Sequence, residues 1–199
     1  MPLLPPARCP VCGVSTPLAC VCGECLRRPP AFDVATAPLE YRFPVDAMIR
    51  RFKYQGDLAT GRALGRLLSE HVAPLPRPDL VIPMPLHPTR LKVRGFNQAA
   101  ELAREIARRT RVPVVMDLCA RHRDTAEQAQ LSSRERRRNV RGAFTCVRDL
   151  GGADVAVVDD VLTTGATLNE LARVLKRRGA ARVRGWVVAR ALPEWAARV

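Results

Sequence analysis

Asp154-Val-Ala-Val-Val-Asp159-Asp160-Val-Leu-Thr163-Thr164-Gly165-Ala166-Thr167 is the stretch on which the reading of this 199-residue chain turns. The apolar run Val155 to Val158 has the length and content of a buried strand, and it leads straight into two adjacent carboxylates. A loop of small residues, Thr163 to Thr167, follows. Leu168, Leu171, Ala172 and Leu175 then recur at helical spacing, Thr167 and Glu170 fit a capping box, and Gly179 fits a helix stop. Backbone N–H groups and threonine hydroxyls at a helix N-terminus suit an anion, which the helix dipole favours. Carboxylates just upstream would repel a phosphate but can accept hydrogen bonds from the vicinal hydroxyls of a sugar. The pattern asks for a sugar carrying a phosphate at one end. An ordinary strand–turn–helix with turn-forming aspartates competes, but strand, acid pair, Thr-Thr-Gly and helix start are all in register.

Outward from this stretch, strands alternate with amphipathic helices. The spacing predicts a helix over 44–54 with Val45, Met48, Ile49 and Phe52 on one face, then one from about Leu58 to Val72 with Leu64, Leu67 and Leu68 inward. Asp79 to Pro83 and Val112 to Met116 read as strands, the first followed by a proline-rich loop over 84–96. Asn97 is placed to cap a helix carrying Ala99, Leu102, Ala103 and Ile106. Residues 121–139 show almost no apolar periodicity, Val140 to Val147 looks extended, and Val183 to Ala189 supplies a last strand. The order predicts an α/β fold with a mostly parallel sheet flanked by helices, its ligand at the carboxyl ends of the strands. Neither a GxGxxG nor a Walker A pattern occurs, which weakens a dehydrogenase or P-loop reading.

The N-terminal segment is different in kind. Cys9-Pro-Val-Cys12 and Cys22-Gly-Glu-Cys25 are two Cys-x-x-Cys knuckles with nine residues between them. Four thiolates turned onto one point suit a structural zinc ion, and Gly13 and Gly23 fall where such turns need them. Redox use of one pair is the rival reading. Cys20 could replace Cys22 or be a spare thiol, while Cys119 and Cys146 read as small core residues. The module is expected over 1–30, ending at Pro29-Pro30, with the α/β domain over 31–199.

The 47% hydrophobic content supports a core, and no segment approaches the length of a membrane span. Met1 to Arg8 lacks a charged start followed by an apolar run, so a cytoplasmic location with reduced thiols is expected. The net charge of +14 suits a polyanionic partner. Yet only three of the 33 basic residues are lysine (Lys53, Lys92, Lys176), a bias that a GC-rich genome would also write.

The acid-pair loop resembles the signature of the type I phosphoribosyltransferases, which bind phosphoribosyl pyrophosphate (PRPP) with magnesium. Together with Pro83-Met-Pro-Leu-His-Pro88, Arg94-Gly-Phe-Asn-Gln98, Leu131-Ser132 and Arg137-Arg-Asn-Val-Arg-Gly-Ala-Phe144, it resembles the ComF family. Those proteins are competence-associated and also begin with a double Cys-x-x-Cys module. The resemblance implies a type I phosphoribosyltransferase-like fold with Asp159 and Asp160 as the catalytic pair along the ribose 2′- and 3′-hydroxyls. Thr163, Thr164, Gly165, Ala166 and Thr167 would cradle the 5′-phosphate. Arg90, Lys92 and Arg94 in the loop over 84–96 would meet pyrophosphate. Residues 125–141 would form a mobile catalytic loop whose Arg134, Arg136, Arg137, Arg138 and Arg141 meet pyrophosphate or DNA, or simply face solvent. The zinc ligands would be Cys9, Cys12, Cys22 and Cys25. A role in natural transformation is implied, with single-stranded DNA and a helicase-like protein as partners. Two activities stay open: phosphoribosyl transfer to an unidentified acceptor, or a non-catalytic protein that senses the ligand and handles DNA.

Overall fold

The computed structural model describes residues 7–16, 18–124 and 133–192. After a short helix in the cysteine segment, α1 (Gly23–Arg27), come two edge strands, β1 (Val34–Thr36) and β2 (Leu39–Glu40). Then follow α2 (Val45–Gln55), α3 (Leu58–Val72), β3 (Leu80–Pro83), α4 (Pro88–Arg94) and α5 (Gln98–Thr110). The rest is β4 (Cys119–Arg121), α6 (Ser133–Val140), β5 (Phe144–Cys146), β6 (Asp154–Leu162), α7 (Ala166–Arg177) and β7 (Arg182–Arg190).

The main sheet is parallel, in the order β1-β7-β6-β3, with β2 also pairing β7. Leu80 to Pro83 lie opposite Val155 to Val158, so the two apolar runs read from the sequence are neighbours at the centre. β4 and β5 form a separate antiparallel ribbon. From β3 the chain moves outward to Val114, which bridges Val81, and from β6 it moves the other way to β7. The crevice between the carboxyl ends of β3 and β6 is therefore the switch point at which open α/β sheets bind ligands.

Two apolar layers sandwich the sheet. Ala156 and Val158 of β6 join Phe52 of α2, Leu64 and Leu68 of α3, and Leu102 and Ile106 of α5. Val155 and Val157, on the opposite face by strand alternation, join Leu168, Leu171 and Leu175 of α7, the β4–β5 ribbon and the cysteine knuckles. The predicted inward faces of α2, α3, α5 and α7 are thus the buried ones.

Several expectations change. β6 extends beyond Val158 to Leu162, which places the acid pair inside the strand rather than in a loop. The segment over 84–96 contains α4, begun by Pro88 at a position where its missing N–H costs nothing. Val112 to Met116 pairs through a single bridge, and the stretch from Val140 divides into a helix end and the short β5. No capping box forms at α7. Its N-cap is Gly165, at φ +73°, and the Glu170 carboxylate instead accepts from the Gly142 N–H at 2.9 Å.

Gly185 sets how closely α7 lies on the sheet. A Cβ there would come within 2.4 Å of Leu168 Cδ2, a side chain of the first helical turn. Gly185→Ala is expected to push that turn off the sheet and cost about 1–3 kcal/mol. Chemical denaturation of the single and double variants with Leu168→Ala checks it, the double costing less than the sum of the singles.

Candidate functional site

At the carboxyl end of β6, Asp159 and Asp160 point to opposite faces, as consecutive strand residues must. Asp160 turns into the α2 side, where it is 3% exposed and its Oδ2 lies 2.7 Å from Lys53 Nζ. Burial opposes the lysine's charge, and the Asp160 carboxylate more than offsets that, holding Lys53 above its usual range. Asp159 is half-buried, and its Oδ1 accepts from the Asp160 N–H at 2.9 Å. Burial, reinforced by the charge of Asp160, pushes the Asp159 carboxyl up to about 7. The two acids are therefore unequal: one is locked in an ion pair, the other is held near its titration point.

Thr163, Thr164 and Gly165 then turn the chain into α7. Gly165 adopts the left-handed backbone that this turn requires, and Thr164 Oγ1 accepts from the Ala166 N–H at 3.4 Å. Thr163, Thr164, Gly165 and Thr167 are half-buried and Ala166 is buried, so the five residues form one cradle over the helix start. The first N–H groups of a helix have no partner within it, and the helix dipole favours an anion at that end. The N-terminal segment braces this turn. Ala31 N donates to Asn169 Oδ1 at 2.6 Å, and the Phe32 ring packs against Gly165.

Sequence reading missed two members of the site. Lys53 lies 107 positions before its partner, and its Phe-Lys-Tyr surroundings read as an ordinary helix end. The other is Arg121 of β4, 9% exposed, with its guanidinium 5.6 Å from the Phe144 ring and within electrostatic reach of Asp159, Asp124 and Arg90. A buried arginine is costly unless something anionic meets it. Its place in a run of polar residues gave no periodic signal.

Of the arginines expected to meet pyrophosphate, Arg90 lies within electrostatic reach of Arg121. Arg90 lies 3.6 Å from Asp124. Arg94 stacks over the Tyr54 ring at 5.1 Å and donates to Gln98 Oε1 at 3.3 Å. Arg138 and Arg141 are exposed at the end of α6, while residues 125–132, including Leu131 and Ser132, lie outside the described residues. His87 caps α4 by accepting from the Thr89 N–H.

In the cysteine segment, Cys9, Cys12, Cys22 and Cys25 are buried with their sulfurs all within 4.8 Å of one another. Cys12 and Cys22 Sγ stand 3.6 Å apart. Zinc bonds of about 2.3 Å in a tetrahedron space sulfurs about 3.8 Å apart, so the cluster can hold a metal ion and fits zinc. Cys22 N donates to Cys9 Sγ at 3.4 Å, and Gly13, at φ +69°, makes the first knuckle's turn. Cys20 is exposed and outside the cluster.

This geometry has counterparts among known proteins. The phosphoribosyl transferase domain family matches residues 92–197. Competence protein F of Haemophilus influenzae is 35% identical over 179 residues, covering 85% of this chain and 78% of that protein. The chain belongs to the competence protein F family. DNA utilization protein YhgH of Escherichia coli O157:H7 is 36% identical over 191 residues, 92% of this chain and 84% of its own. Among solved structures, purine phosphoribosyltransferase from Pyrococcus horikoshii Ot3 aligns over 66% of this chain and 74% of that one, at 18% identity and a TM-score of 0.41. The fold is that of the type I phosphoribosyltransferases, a mostly parallel sheet between helices. Among the described residues no helix is long and apolar enough to cross a membrane.

Removing Lys53 while keeping Asp160 leaves a buried carboxylate uncompensated. Lys53→Met is expected to cost about 3 kcal/mol, and Lys53→Met/Asp160→Asn to recover most of it. Urea unfolding of the four proteins of this cycle at pH 7 measures the coupling.

Proposed function

We propose that this chain binds PRPP, or a closely related ribose phosphate, with magnesium at the crevice between β3 and β6, and uses it in the handling of DNA that its relatives' names describe. The observation that carries the reading is the conjunction at one switch point of three things. These are an anion cradle at the start of α7, an acid pair directly upstream, and the buried Arg121 beside Asp159. Thr163, Thr164, Gly165, Ala166 and Thr167 hold the 5′-phosphate through backbone N–H groups and hydroxyls. Asp159 accepts hydrogen bonds from the ribose hydroxyls, and Asp160, anchored by Lys53, fixes the backbone that aims it. Arg121 and Arg90 take up the charge of the pyrophosphate, with Arg94 and Arg138 able to join from either side. Magnesium bound with PRPP would neutralise the same group.

In a transfer reaction the bond from the anomeric carbon to pyrophosphate breaks, positive charge develops on the ribose, and an acceptor nucleophile bonds to that carbon. Asp159 would steady the developing charge and the arginines the leaving group. The division of labour along the chain is a metal-holding module over 1–30, with zinc as its ion, and a transferase-like domain over 31–199.

Calorimetry across pH 6–8 tests the pocket. An acid held near 7 gains its carboxylate as pH rises, so PRPP–magnesium affinity is expected to climb through pH 7. Phosphate groups of the ligand titrate nearby, with a second pKa of about 6. Asp159→Asn should keep their contribution and lose the rest. Binding in Asp159→Asn that matches wild type at every pH would overturn the assignment.

A second reading concerns DNA itself. Arg138 and Arg141 are exposed on and beside α6, and a +14 chain whose relatives include a DNA utilization protein suits phosphate contacts to single-stranded DNA. Replacing both with glutamate is expected to weaken binding. The log-affinity against log-salt slope should flatten by about 1.4, since each phosphate no longer neutralised accounts for about 0.7. A salt series by fluorescence anisotropy measures it, and affinity indifferent to salt would contradict this reading.

A further inference from the structure

β7 carries two buried arginines that are treated very differently. Near its amino end Arg184, 5% exposed, is neutralised by Asp154, whose carboxylate accepts from its Nε at 2.8 and 3.0 Å. At its carboxyl end Arg190, 6% exposed, pairs with no carboxylate among the described residues. Its Nε donates to the carbonyl of Cys12 at 2.9 Å and its Nη1 to that of Leu162 at 2.9 Å, with the carbonyls of Thr163 and Ala191 as further acceptors. Carbonyl dipoles alone are a poor answer to a buried guanidinium, which ordinarily demands an anion.

Its partners show where the missing charge lies and what the residue joins. Cys12 belongs to the first cysteine knuckle, while Leu162 and Thr163 open the loop that runs into α7. A zinc ion held by four thiolates carries a net charge of −2, whereas four protonated thiols carry none. A loaded cluster would therefore supply the counter-charge of Arg190, through the knuckle that it grips.

The grip on the loop also has a direction. A trans peptide is planar, so its C=O and N–H point opposite ways. Holding the carbonyls of Leu162 and Thr163 on Arg190, the first also on the Ala191 N–H at 2.9 Å, turns the N–H groups of Thr163 and Thr164 away from it. A loop held in that sense is pre-organised to donate to an anion.

We infer that Arg190 is a positioning residue that couples metal in the four-cysteine cluster to the shape of the anion cradle, so that zinc and the phosphorylated ligand stabilise each other's binding. This rests on the reading of Thr163 to Thr167 as the 5′-phosphate site. Coupling between sites is reciprocal. Zinc should tighten the ligand, and the ligand should slow zinc release.

The experiment follows zinc transfer from the full chain to a chromogenic zinc chelator, with and without PRPP and excess magnesium, in wild type, Arg190→Gln and Arg190→Lys. Calorimetry of PRPP binding runs in parallel. In wild type, saturating PRPP should slow zinc release about fivefold to tenfold. In Arg190→Gln, zinc should leave faster without ligand, PRPP should bind about tenfold more weakly, and the protection should vanish. Arg190→Lys, which keeps the charge but lacks the fork that spans several carbonyls, should retain zinc better than Arg190→Gln and still lose the protection. The coupling is overturned if wild type binds PRPP and its zinc release does not change, a result that needs no variant to fold. It is equally overturned if Arg190→Gln keeps both wild-type zinc release and wild-type protection. A wild type that holds zinc yet ignores PRPP in calorimetry overturns the pocket reading instead, and is distinguished by that measurement.

Discussion

Two consecutive carboxylates at the end of a buried strand face opposite sides of the sheet, and one of them has to enter the core. Here that residue is Asp160, and the cation that meets it comes from α2. The Lys53–Asp160 pair thereby fixes three things at once. It ties α2 to the central strand, it orients the last turn of β6, and it leaves Asp159 as the acid that faces the crevice. A lone buried carboxylate would have to be neutralised by protonation, at a cost of several kcal/mol, and the strand end would not hold its line. The packing of α2 and α3 around Phe52 and Gly61 is the support that brings Lys53 within reach. A Cβ at Gly61 would stand 2.4 Å from the Phe52 ring, so these helices approach as closely as they do only because that position is bare.

The features legible in the sequence are those whose cause is local. Val155 to Val158 reads as a buried strand because four apolar residues precede two acids, and Thr163 to Thr167 reads as a turn into a helix because small residues precede an apolar helical repeat. α3 and α7 are legible because their leucines recur at 3.6-residue spacing. By contrast α4 buries none of its residues, so it has no apolar face to betray it, and the prolines before it look like loop. The capping-box reading fails for a related reason. Glu170 has the right spacing from Thr167, but a tertiary partner, the N–H of Gly142, claims its carboxylate. Pairings across long separations are invisible altogether. Cys119 and Cys146 read correctly as buried, yet nothing in either context says that they stand opposite each other on the β4–β5 ribbon. Lys53 and Arg121 escape notice for the same reason, and they are the two cations that distinguish Asp160 from Asp159.

The cysteine segment illustrates how a module read as separate can share a core with its neighbour. Its four clustered cysteines pack in the same apolar layer as Val155, Val157 and Leu168. Ala35 of β1 donates its N–H to the Val11 carbonyl at 2.7 Å, so the first knuckle is attached to the sheet edge. The linker beyond it runs past the first turn of α7, where Ala31 and Phe32 touch Asn169 and Gly165. These contacts brace the turn into α7.

That placement bears on the choice of acceptor. A transferase selects its nucleophile with whatever covers the anomeric carbon, and in this chain the added segment packs against the turn into α7. It braces that turn through Phe32 and Ala31, and Arg190 ties its first knuckle to the same turn. Among the described residues, Asp159 is met by Arg121, which is itself within electrostatic reach of Arg90 and Asp124, so this edge is one of alternating charge. On the proposed reading, such an edge would meet the charged groups of the ligand. A charged edge is also one that a phosphate-bearing polymer could approach. On the proposed reading, the residues described about this crevice would serve the phosphorylated ribose.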